Sequence, residues 1–143
     1  MINNQTDSLI IRIFDYAFNQ GDLAILDELV SVNATAHIPG WGMPANRLGI
    51  KQMIANIRAA FPDLHCTVVD EIEGESKSAA IWTLRGTHKG SFFGNSPTGR
   101  RVEVQGFIFA YTKNTQITES WLLIDQMNIL QQIGVVPPPR EIA

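Results

Sequence analysis

Two hydrophobic periods divide the chain. In the first third, apolar residues return every three or four positions, as on one side of a helix. Ile10, Ile13, Phe14 and Ala17 form such a stripe, with Tyr16 and Phe18 on its two shoulders. Asn19-Gln20-Gly21 ends this helix, because glycine adopts the left-handed geometry of a C-terminal cap without steric cost. Asp22 is placed to cap a short second helix that runs to Leu29. Ala34 to Ile38 reads as a short strand. Pro39-Gly40-Trp41-Gly42-Met43-Pro44 reads as a loop, punctuated by two prolines and two glycines. A third helix spans about Gly49 to Phe61. Ile50, Met53, Ile54, Ile57 and Phe61 share one of its faces, and Pro62 stops it.

From Leu64 the period becomes two. Leu64, Cys66, Val68, Asp70 and Ile72 alternate with His65, Thr67, Val69 and Glu71. Ala79 to His88, Arg101 to Tyr111 and Ile117 to Asp125 follow as strands rich in β-branched and aromatic residues. Short turns between them predict antiparallel neighbours. A short amphipathic helix follows Asp125. Helices first and a strand meander afterwards predict an α+β fold. Phe107-Ile108-Phe109 is apolar at both parities, which predicts a sheet covered on both faces. The helices cover one face, and a second copy of the chain covers the other.

Composition narrows the function classes. At 143 residues the chain reads as one domain, 1–143, able to bury a core and enclose a cavity. The net charge is −3 with no run of Lys or Arg, so the positive footprint of a nucleic-acid binder is missing. Met1-Ile2-Asn3-Asn4-Gln5 has no secretory pattern. No apolar run reaches the roughly 18 residues of a membrane span. A cytoplasmic protein is expected. Cys66 is the one cysteine, which excludes an internal disulfide, and its alternation with Leu64 and Val68 places it in a buried strand.

Several segments, in order, carry a family likeness. They are Ala17-Phe18-Asn19-Gln20-Gly21-Asp22-Leu23, Phe61-Pro62-Asp63-Leu64-His65, Arg85-Gly86-Thr87-His88-Lys89-Gly90, Pro97-Thr98-Gly99-Arg100-Arg101 and Gln131-Gln132-Ile133-Gly134. Together they resemble the SnoaL-like polyketide cyclases, a branch of the cone-shaped NTF2-like α+β fold. The resemblance implies N-terminal helices packed on a curved antiparallel sheet around a pocket, with pairing of two copies through the outer sheet face. It implies a small hydrophobic ligand, ring closure or isomerisation by acid–base chemistry, and no cofactor. In the cyclases an aspartate on the last strand removes a proton and a histidine on the neighbouring strand assists. Those positions fall on Leu122 and Ile108 here, and neither side chain transfers a proton. The resemblance also places Phe18 and Asn56 at the cavity. A non-catalytic binding protein on the same fold is the rival reading, since fold does not settle function. Ketosteroid isomerase shares the fold and serves as a standard case of tuned carboxyl groups. Only Tyr16 hints at its arrangement, and no carboxylate stands near His37 in sequence.

The remaining candidates come from residue type and place. Asp125, between the last strand and the last helix, is either a base at the cavity rim or an N-cap accepting from Met127 or Asn128. His37, at the end of a strand beside the Pro/Gly/Trp loop, can titrate near neutrality or simply bond a loop carbonyl. His88 lies beside Phe92-Phe93, and His65 beside Pro62-Asp63, where solvent is expected. Trp41, Trp82, Tyr16 and Met53 are candidates for the ligand cavity beside the core. The expected pocket is bounded by Phe18, Trp41, Asn56, His88, Ile108 and Leu122. No histidine pair has metal-ligand spacing, so no metal site is expected. Gly94-Asn95-Ser96-Pro97-Thr98-Gly99 lacks the signature of a phosphate loop. Ser8, Ser31 and Ser120 lack the context of a nucleophile.

Overall fold

A computed structural model describes residues 7–42 and 44–140. Helix α1 begins as an α-helix, Leu9–Arg12, and continues as a π-helical segment, Ile13–Asn19. Ser8 caps its start by accepting the Ile11 amide at 3.1 Å. The wider π turn bonds five residues apart. It brings Phe18 from its expected shoulder onto the buried face with Phe14, the two rings 4.8 Å apart. Gly21 closes the segment at φ 75°, the left-handed turn its sequence predicts. Helix α2, Ile25–Leu29, starts at Ala24 with no side-chain cap, so Asp22 does not play the role expected of it. Strand β1, Val30–His37, follows α2 directly and is longer than the sequence pattern gave. The 39–44 loop reading includes Met43, which lies outside the described residues. Helix α3, Arg47–Ala60, is capped by Asn46, whose Oδ1 accepts the Gly49 amide at 2.8 Å.

The remaining strands are β2 (His65–Glu73), β3 (Lys77–Thr87), β4 (Arg101–Lys113) and β5 (Gln116–Ile124), and α4 (Gln126–Gln132) follows. They form one five-stranded sheet in the order β1-β5-β4-β3-β2. Neighbours from β2 to β5 are antiparallel; short turns join β2 to β3 and β4 to β5, and the longer 88–100 segment joins β3 to β4. Strand β1 pairs with β5 in parallel, a contact between distant parts of the chain that local pattern does not specify.

Alternation decides which face each strand buries. Val102, Val104, Gly106, Ile108 and Ala110 of β4 face the helices, as do Ser120, Leu122 and Ile124 of β5. A bulge between Val68 and Asp70 shifts the register of β2. Asp70 and Ile72 therefore turn to the outer face, against the single-face reading of that alternation. Glu71 turns inward and accepts the Ser8 hydroxyl at 2.7 Å. Trp82 is fully buried over Gly106, where any Cβ would overlap its ring and the Leu123 carbonyl oxygen. On the outer face Ile72, Phe107, Tyr111, Trp121 and Leu123 remain exposed. Among the described residues no helix is long and apolar enough to cross a membrane.

Candidate functional site

Between the helices and the concave sheet face lies a cavity of about 40 Å³. Its floor is Ile108 and Leu122, which are direct cross-strand partners on β4 and β5. Phe18 and Ile13 of the π segment form one wall, and Ile50 and Met53 of α3 another. The π turn, the β4–β5 register and the apolar face of α3 thus converge on one spot. Three of the six expected pocket residues meet here: Phe18, Ile108 and Leu122. No titratable side chain lines this space. It can pack and exclude water, but its walls cannot move a proton.

Trp41 and Asn56 line a different space, an open groove of about 570 Å³ between α3 and the loop that carries Phe92 and Phe93. This corrects the single pocket expected from the sequence. The loop after β1 carries Trp41 outward, where its ring packs edge-on against Phe93 at 4.7 Å and Phe92 at 6.0 Å. Asn56 sits on the exposed flank of α3. Phe93 holds a positive φ of 47°, and Asn95 donates to the Phe92 and Phe93 carbonyl oxygens, which fixes this turn.

His88 belongs to neither space. It is fully buried against Phe61, with ring centres 5.8 Å apart. The Thr98 amide donates to its Nδ1 at 3.2 Å, and the Thr98 hydroxyl lies 3.0 Å away. Accepting that amide leaves the proton of a neutral ring on Nε2. Nε2 is buried without a partner among the described residues, as are the indole nitrogens of Trp41 and Trp82.

The two acid–base candidates also part company with the cavity. Asp125 is exposed and caps α4, accepting the Asn128 amide at 3.1 Å. His37 lies on the outer sheet face. It is 2.8 Å from Glu119 and stacked on Trp121 at 4.8 Å and 18°. The carboxylate that its surroundings in sequence did not offer comes from β5, through the parallel register that sets Thr35 opposite Glu119 and His37 opposite Trp121. His65 is exposed, as its place beside Pro62 implied. Burial pushes the Cys66 thiol up to about 12, which keeps it protonated and inert. Among the described residues no group of three His, Cys, Asp or Glu side chains is placed to hold a metal.

The one polar residue of the cavity wall escaped the sequence reading. Ser120 lies on the cavity wall, two positions before Leu122 and on the same face of β5. Its alternation with Leu122 and Ile124 was the available signal.

The chain belongs to the SnoaL-like polyketide cyclase family, whose sequence profile matches residues 8–133. Among solved structures it is similar to IdmH of Streptomyces antibioticus, a candidate polyketide cyclase. The two share 33% identity over 88% of this chain and 96% of that one, with a TM-score of 0.79. AclR of Streptomyces galilaeus, a candidate hydroxylase, shares the fold at 23% identity, with coverage of 93% and 83% and a TM-score of 0.80. A SnoaL-like protein of Jannaschia sp. CCS1 shares it at 19% identity, with coverage of 92% and 91% and a TM-score of 0.80. No curated protein matches the chain in sequence.

Proposed function

We propose that this protein holds a small hydrophobic molecule between its helices and the concave sheet face, without proton abstraction by the family's acid–base pair. One observation carries the reading. The positions on which the family resemblance places the acid–base pair are the apolar cross-strand partners Ile108 and Leu122, which form the floor of the cavity. Family membership supplies the chemical class, a polyketide or a ring derived from one. No cofactor enters this reading. At about 40 Å³ the cavity is far below the roughly 300 Å³ of a small-molecule site. Entry therefore requires α3 and the π segment to move off the sheet. Met53, unbranched and adaptable, is the lining side chain best suited to yield. The Trp41–Asn56 groove runs along the same helix and lengthens the site once α3 moves.

A second reading, acid–base conversion, has the His37–Glu119 pair in its favour. A carboxylate holding an imidazole is the arrangement of a general base. The pair borders an apolar groove of about 320 Å³ on the outer face, lined by Phe107, Phe109, Trp121 and Leu123. That same face is where we place the second copy of the chain in a homodimer.

Methyl-labelled NMR with a dihydroxyanthraquinone, a surrogate for a folded polyketide, tests the first reading. The methyl signals of Ile108, Leu122 and Ile50 should move together. Shifts confined to Leu123 and Ile72 on the outer face would refute it. Hydrogen–deuterium exchange at the acidic carbon of a cyclic 1,3-diketone that disappears in His37→Ala, with melting temperature unchanged, would establish the second reading instead.

A further inference from the structure

The inner face of the sheet carries a row of small side chains. Ser78 on β3, Ala110 on β4, Ser120 on β5 and Ala36 on β1 are successive cross-strand partners. Beside this row lies the row of Ala80, Ile108 and Leu122. Small residues leave space, and the cavity opens over the Ser120 end of the row.

Ser120 is 8% exposed, yet every other side chain on the cavity wall is apolar. Its hydroxyl has no hydrogen-bond partner among the described residues. A hydroxyl with no protein partner is free to bond a ligand atom that reaches it. Its strand neighbours Ala36 and Ala110 offer it nothing, and alanine at 120 would fit the row equally well. The hydroxyl is thus the one polar side-chain group that this apolar cavity wall offers to whatever enters it.

We propose that the Ser120 hydroxyl is the hydrogen-bonding anchor of this cavity, and that the molecule it receives presents a carbonyl or hydroxyl oxygen there. This rests on the binding reading above. A serine hydroxyl donates one bond and accepts others, so it matches either oxygen. No imidazole or carboxylate lines the cavity to activate it, so it positions the ligand and does not attack it. Because Leu122 lies two residues on along the same face, an oxygen held at Ser120 lays the adjoining carbons across Leu122 and Ile108. The selected class is an apolar molecule with one inward oxygen, such as a cyclic ketone.

NMR titration of the natural protein and Ser120→Ala with cyclopentanone, and with cyclopentane as its oxygen-free match, decides the matter. One net hydrogen bond predicts that the substitution weakens cyclopentanone about fivefold and leaves cyclopentane within about twofold. Ser120→Ala should melt no lower than the natural protein, which separates lost binding from lost folding. Equal weakening of both probes, or none of either, overturns the anchor while leaving the binding reading intact. Failure of both probes to move the Ile108 and Leu122 methyl signals removes the binding reading and the anchor together.

Discussion

Asp125 and Ser120 show what single residues declare and what they conceal. Asp125 stands between a strand and a helix, and its carboxylate accepts an amide of the first turn of α4. That role follows from neighbouring residues alone and was legible in the sequence. Asparagine caps about as well as aspartate, so Asp125→Asn should change stability by less than about 0.5 kcal/mol, while Asp125→Ala should cost about 1 kcal/mol. Thermal unfolding of both variants checks this, and a large loss of ligand conversion in the asparagine variant would reinstate Asp125 as a base. Ser120 was less legible because a serine in a strand says little until its face is known. His37 was less legible still. Its partner Glu119 is 82 positions away and arrives by a strand pairing that no local pattern encodes.

At the scale of elements, the helices and strands were largely written in the hydrophobic period, with ends displaced by a few residues. Two departures came from backbone details that the period does not record. The π turn in α1 moved Phe18 inward, and the bulge in β2 reversed the faces of Asp70, Glu71 and Ile72. The junction between α3 and β2 depends on Asp63, which accepts the Thr87 amide at 2.7 Å and the Thr87 hydroxyl at 2.8 Å. These bonds, the amide first, hold its carboxyl below the usual aspartate range. A lowered carboxyl contributes stability that is complete above the ordinary value of about 3.9 and is lost as pH falls through the lowered one. Asp63→Ala should therefore destabilise by roughly 1 kcal/mol at neutral pH. The difference from the natural protein should shrink once the pH drops below the ordinary aspartate value. Melting curves across that range test the sign, and a gap that widens in acid would contradict it.

Across the whole molecule, the outer sheet face is the largest unexplained expense. Phe107 is 50% exposed, Leu123 46% and Trp121 38%, and together they border one apolar groove. The apolar parity of Phe107-Ile108-Phe109 pointed to this surface, and the strand meander already placed β3 and β5 on either side of it. Exposed apolar patches of this kind mark interaction surfaces. Sedimentation should give twice the 15.9 kDa chain mass at micromolar concentration. Phe107→Glu with Trp121→Glu should shift it to the monomer, because like charges on a desolvated face oppose contact. A natural protein that sediments as a monomer would refute the pairing.

The parallel seam between β1 and β5 also governs the order in which this protein can come into being. A ribosome delivers β1 long before β5, and in this fold β1 has no other strand to pair with. Closing a loop of 82 positions costs roughly 3 kcal/mol more in chain entropy than closing a four-residue hairpin turn. The strands from β2 to β5 follow one another along the chain and can pair in that order, whereas the nascent β1 must wait for the last strand. During that interval the chain carries an unpaired edge and an unroofed apolar wall, the two features that recruit aggregation. The seam that completes the cavity wall is thus also the step at which synthesis is most exposed to failure.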